Sequence, residues 1–98
     1  MEINMTIAKT ILNQIKTLDP MAIMAWGARD FVNMGDGLKF KTSGMVKWKG
    51  YVNIQYNSGT DLYDLKFFRI RNLKMVNDRE YRDVTADYLV HIIDTVVG

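Results

Sequence analysis

The sequence predicts an α+β fold: an N-terminal helix and a short second helix, a mostly antiparallel meander of four to five strands, and a C-terminal helix, with the helices packed on one sheet face. Three observations carry this reading. Ile3, Ile7, Ile11, Ile15 and Leu18 recur every three or four residues, the spacing of a helix with one apolar stripe. Val84, Tyr88, Leu89, Ile92, Ile93, Val96 and Val97 repeat that spacing at the other end. Between them the apolar period falls to two, in runs separated by Gly-Asp-Gly and Asn-Ser-Gly-Thr turn signals.

Asp19-Pro20 should end the first helix, because a proline disfavours helical backbone at the residue before it. The same pair can open the second helix, Met21 to Trp26, with Asp19 as N-cap, Pro20 in the first turn and Gly27 closing it. Arg29 to Met34 then reads as extended. Gly35-Asp36-Gly37 reverses the chain into Leu38 to Thr42, where Leu38 and Phe40 share one face and Lys39 and Lys41 the other. Met45 to Lys49 is a connection or irregular strand. Tyr51 to Tyr56 alternates cleanly, and Asn57 to Thr60 forms the next turn. Asn77 to Arg82 is polar and reads as a loop, after which Asp83 is placed to cap the closing helix.

The stretch Asp61 to Arg71 contains a break of phase. Tyr63, Leu65 and Phe67 alternate on one face, while Phe68 and Ile70 continue the apolar series on the opposite parity. A one-residue bulge at Phe67-Phe68 would return both series to the core and aim Arg69 and Arg71 outward. Without it, both arginines lie on the Tyr63 face. Leu73 to Val76 extends this strand or forms a fifth after a break at Asn72.

At 98 residues the chain is expected to be a single domain, residues 1–98, built on one core. An apolar fraction of 48% against 24% charged excludes the disordered class. The absence of cysteine excludes disulfides, thiolate metal sites and a cysteine nucleophile, and suits a reducing cytoplasm. Polar residues interrupt the first helix, so neither a signal peptide nor a membrane span is expected. Charge is uneven: residues 29–82 hold eleven basic and six acidic residues, while residues 83–98 hold three Asp and no Lys or Arg. The basic middle is the part suited to an anionic partner.

No catalytic, cofactor or metal set emerges. His91 has only Asp87 and Thr95 within a helical turn, too few ligands for zinc. Asp61 with Asp64, or Asp78 with Glu80, would support hydrolysis or magnesium binding only if they converged with partners from other elements. An enzyme would need a pocket joining His91 to Asp61, Asp64 or Asp87. Gly35 and Gly37 lack the following Lys-Ser/Thr and helix of a phosphate loop.

The candidate binding surface is Lys39, Lys41, Met45, Lys47, Trp48, Lys49, Lys66, Arg69 and Arg71, with Lys74 beside it. Cations from two strands, together with Tyr51 or Trp48, resemble the mixture on sheet platforms that bind nucleic acid. An ordinary solvated face whose lysines protect sheet edges has the same composition. Met21, Met24, Met34 and Met45 gather with Trp26, Phe31 and Trp48. Trp26 and Phe31 are expected in the core, and Met45 and Trp48 at an exposed contact tip. Arg29 with Asp61 or Asp64 is a candidate ion pair pinning sheet to helix.

The segments Thr6 to Ile15 (TIAKTILNQI), Gly27 to Val32 (GARDFV), Asp36 to Phe40 (DGLKF), Asp61 to Arg71 (DLYDLKFFRIR) and Ala86 to Leu89 (ADYL) occur in an order that resembles a family of small proteins of tailed bacteriophages and prophages. The resemblance spans nearly the whole chain. It implies a phage or prophage origin and the bacterial cytoplasm, and carries no catalytic residues across. Trp26 and the lysine-rich Met45 to Lys49 connection depart from the pattern and set any shared partner apart. The resulting expectation is a non-enzymatic phage or mobile-element accessory protein. It would bind a host or phage protein, including a defence complex that it inhibits, or alternatively nucleic acid through the basic sheet face. A homodimer through a sheet edge or the Met45 to Trp48 tip is a further arrangement.

Overall fold

The computed structural model describes residues 6–43 and 47–98, so that Ile3 of the first apolar stripe and Met45 of the expected contact tip lie outside the described residues. Helix α1 (Ile7–Leu18) begins at Thr6, whose Oγ1 accepts the Lys9 N–H at 3.1 Å, and turns Ala8, Ile11 and Ile15 into the core. It ends at Asp19, before the proline. The Asp19 carboxylate accepts the Met21 N–H at 3.1 Å, leading into the single turn of α2 (Ala22–Ala25). Gly27, at φ +62°, reverses the chain there.

Five strands follow: β1 (Arg29–Asn33), β2 (Gly37–Lys41), β3 (Tyr51–Asn57), β4 (Leu62–Arg71) and β5 (Lys74–Val84), each antiparallel to the next in the order β1-β2-β3-β4-β5. A 3-10 turn, Ala86–Tyr88, leads into α3 (Leu89–Val97). This is an α+β fold with helices at both ends of an open meander. No helix among the described residues is long and apolar enough to cross a membrane.

Alternation decides the layers. Leu38, Phe40, Val52, Ile54, Tyr63, Leu65 and Phe67 bury one face of the sheet with Ile11, Ile15, Leu89, Ile93 and Val97 from the helices. Each fully buried aliphatic or Phe side chain contributes about 1.5–3 kcal/mol relative to exposure. Trp26 lies parallel to Phe40, with centroids 6.2 Å apart, and its indole N–H donates to Asp94 Oδ1 at 3.2 Å, fastening α3 beside α2.

Four expectations need correction. Residues 77–82 are not a loop but the middle of β5, an edge strand whose bulges and solvent-facing polar residues hide the two-residue period. The closing helix starts at Leu89, because Val84 ends β5 with its side chain buried and Asp83, at φ +57°, donates its N–H to Asp64 instead of capping a helix. Phe31 rests against Phe40 at 5.4 Å but remains 39% exposed, since β1 is an edge strand with no neighbour outside it. The irregularity at Phe67-Phe68 does not lie in β4. Phe67 faces Arg79 and Phe68 faces Asn77, so the extra residue is Asp78 of β5, while β4 stays in unbroken register with β3. Arg69 and Arg71 therefore keep the Tyr63 parity.

The β4–β5 turn is Asn72-Leu73, at φ +49° and +64°. Two central residues at positive φ match the twist of a two-residue hairpin, but a leucine there costs about 1–2 kcal/mol relative to ordinary backbone. Leu73 is 98% exposed and gains no burial in return. Leu73→Gly should therefore raise stability by about 1 kcal/mol in a urea titration. Unchanged or lower stability would show that the turn is not strained.

Candidate functional site

The face opposite the helices carries Lys39 and Lys41 of β2, Tyr51 and Asn53 of β3, and Lys66 and Phe68 of β4. Register sets them in rows: Lys41, Tyr51 and Phe68 across one, Lys39, Asn53 and Lys66 across the next. Tyr51 stacks on Phe68 with centroids 5.2 Å apart and planes 12° apart. The Lys39 and Lys41 ammonium groups lie over the Tyr51 ring at 5.9 and 5.8 Å from its centroid. The lysines come from β2 and Phe68 from β4, so the ring is covered on both sides. It offers no free platform for a base; it holds two ammonium groups in place.

At one end this face opens into a cleft of about 450 Å³ lined by Arg29, Lys41, Lys49 and Arg69, with Thr42, Ser43, Gly50, Tyr51 and Ile70. No carboxylate among the described residues lines it. Arg29 arrives through a bulge: Arg29 faces Lys41 and Val32 faces Lys39, with Asp30 at φ +57° in between. Lys49 arrives through the return of the chain, where the Thr42 N–H donates to the Gly50 carbonyl at 2.8 Å and Thr42 Oγ1 accepts the Gly50 N–H at 3.1 Å. Only glycine suits position 50, because a Cβ would stand 2.6 Å from the Trp48 ring and 2.7 Å from the Phe68 carbonyl oxygen.

Arg69 is tied differently. Its Nε lies 2.8 Å from Asp78 Oδ2 and its Nη2 donates to Oδ1 at 3.2 Å. The Trp48 indole N–H donates to Oδ2 at 2.8 Å. The Trp48 bond holds the Asp78 carboxyl below the ordinary aspartate range; burial opposes this, and the Arg69 and Arg71 guanidinium groups reinforce it. Asp78 neutralises Arg69, whereas no ion pair among the described residues takes Arg29, Lys41 or Lys49.

The structure brings together Lys39, Lys41 and Lys66 on the open face, with Lys49 and Arg69 at its end. It separates others. Lys47 Nζ donates to the Thr95 carbonyl at 3.0 Å, on the helix side. Trp48 is not an exposed tip: it is half-buried, edge-on to Phe67 at 5.8 Å. Arg71 stands at the β4–β5 hairpin end. Arg29 does not pair with Asp61 or Asp64, because it faces Lys41 across the sheet while Asp61 accepts the Tyr56 hydroxyl and Asp64 the Asp83 N–H. Sequence reasoning missed Arg29 as a cleft residue: the hairpin register alone would set Asp30 against Lys41, and the bulge that brings Arg29 there instead has no signal in the sequence.

Asp61, Asp64 and Asp87 line three separate clefts, and His91 lines none of these. His91 is exposed against the Tyr88 ring at 4.7 Å. Among the described residues no three His, Asp or Glu side chains gather to hold a metal ion. Comparison with models of known protein families, with curated proteins and with solved structures finds no match.

A carboxylate with a lowered pKa stabilises the fold above its unfolded pKa, and that contribution disappears as pH falls through the lowered folded value. Asp78→Asn should therefore melt below the parent at neutral pH, with the gap closing as pH drops beneath the ordinary aspartate range. A gap that persists unchanged in strong acid would remove the Arg69–Asp78 pair from the account.

Proposed function

We propose that this protein is a non-enzymatic accessory protein of a phage or mobile element, acting in the bacterial cytoplasm, and that it holds the phosphate backbone of nucleic acid in the cleft lined by Arg29, Lys41, Lys49 and Arg69. One observation carries the reading: three strands and a connection deliver four cations to one cleft that no carboxylate among the described residues lines. Phosphate neutralisation supplies most of the affinity of sequence-independent binding. The covered Tyr51 ring favours backbone contact over base stacking. Lys39 and Lys66 extend the same positive surface along the sheet.

A second reading, direct contact with a host or phage protein such as a defence complex, is favoured by Met21 at 60% and Met24 at 74% exposed beside Leu18. Pull-down from bacterial lysate with and without nuclease separates the two, since a partner kept after nuclease treatment is held by protein contact.

With Arg69 neutralised, three cations remain to meet phosphates. Three phosphate contacts predict that raising salt from about 50 to 200 mM weakens oligonucleotide binding about 40-fold by fluorescence anisotropy. Lys41→Glu with Lys49→Glu should abolish most of the affinity. Absence of binding at low salt, or binding insensitive to these substitutions, would overturn the reading.

A further inference from the structure

Past Phe68, β4 pairs with no strand among the described residues except β5. The β3 ladder starts with Tyr51 opposite Phe68, yet β4 and β5 go on pairing through Arg69 with Val76, Ile70 with Met75 and Arg71 with Lys74. Three further residue pairs at about 3.4 Å each carry a two-stranded ribbon roughly 10 Å beyond the sheet. This ribbon is two-sided. Arg69, Arg71 and Lys74 share one side with Val76, while Ile70 and Met75 take the other at 55% and 60% exposed, and Leu73 forms the tip. From Leu65 to Asn77 the chain carries Lys66, Arg69, Arg71 and Lys74 and no carboxylate, and Asp78, the next residue, takes Arg69. Arg69, on the helix-side parity of Tyr63, and Ile70, on the open-face parity of Lys66, both line the basic cleft, so the base of the ribbon borders it.

We propose that the ribbon enters the major groove of double-helical DNA, with Arg71 and Lys74 meeting phosphates at the groove wall and Leu73 touching base edges at its floor. This rests on the phosphate-binding reading of the cleft and adds to it a preference for duplex. The dimensions agree: a major groove about 12 Å wide and 8.5 Å deep admits a two-stranded β-ribbon. The apolar tip fits the groove because thymine presents a methyl group there, the one apolar feature on a base edge. The exposed leucine at positive φ then has a use, since Gly or Asn would satisfy the turn without strain. Arg71 and Lys74, which no ion pair takes among the described residues, suit a polyanion, and the cleft at the ribbon's base offers the same polyanion Arg29, Lys41 and Lys49.

The test compares the native chain with Leu73→Gly, a variant whose turn accepts glycine and whose fold is checked by its unfolding transition. Each is titrated with single-stranded DNA, the same sequence as duplex, and a duplex with uracil in place of thymine. The expected result is a loss of about fourfold on duplex for Leu73→Gly, the worth of one methyl contact, with single-strand affinity unchanged. Uracil should cause the same loss in the native chain and none in the variant. Equal duplex binding by both chains overturns the ribbon's role and leaves the cleft standing. Failure of the native chain to bind either DNA overturns the cleft reading and the ribbon with it. Vesicles of phosphatidylserine form the last arm: tip-dependent vesicle binding with tip-independent duplex binding would assign the ribbon to a lipid surface and overturn the proposal.

Discussion

The unbroken pairing of β3 with β4, from Tyr51 opposite Phe68 to Asn57 opposite Leu62, is the constraint on which the remaining geometry depends. A slip of one residue along this ladder would send Val52, Ile54, Leu65 and Phe67 to solvent and Tyr51 into the helices. Because Ile54, Leu65 and Phe67 are completely buried, the register is specified by the core. The open face inherits its arrangement from the same pairing. Tyr51 must lie beside Phe68, while the adjoining β2–β3 ladder, with Lys41 opposite Tyr51, stands the lysines over its ring.

Irregularity is displaced to the edges. The central strands β2, β3 and β4 keep register with one another, whereas β1 and β5 each carry shifts. An edge strand has one neighbour, so a bulge there interrupts one ladder rather than two. These shifts orient the charged residues. The bulge at Asp30 sets Arg29 against Lys41, and the bulge at Asp78 supplies the carboxylate that meets both Arg69 and Trp48. Asp78 thereby joins the end of β4, the bulge of β5 and the lysine-rich connection. Gly50 itself lies against the Phe68 backbone, and Lys49 before it lines the cleft.

Much of this was legible in the sequence because most signals were local. The α1 stripe, the breaks at Asp19-Pro20 and Gly27, the alternation of β2 and β3 and the turn at Asn72 all follow from spacing or backbone preference. What was not legible depended on partners distant in sequence. The phase break at Phe67-Phe68 was visible, but not the strand that holds the extra residue; that depends on which neighbour β4 must keep in register. β5 reads as polar because an exposed edge strand with two shifts lacks continuous alternation. Trp48, flanked by lysines, looked exposed until Phe67 and Asp78 claimed its two ends. The candidate surface divides likewise: Lys39, Lys41 and Lys66 followed from strand parity, whereas Arg29 and the helix-side position of Lys47 required the fold.

The central claim is that the open face and its basic end form one phosphate-binding surface. Titration of isotope-labelled protein with a short oligonucleotide at low salt, followed by backbone and side-chain NMR shifts, tests it most directly. The account predicts shifts concentrated at Arg29, Lys41, Lys49 and Tyr51, with α1 and α3 unmoved. Shifts centred on the helices, or none at any residue, would contradict it.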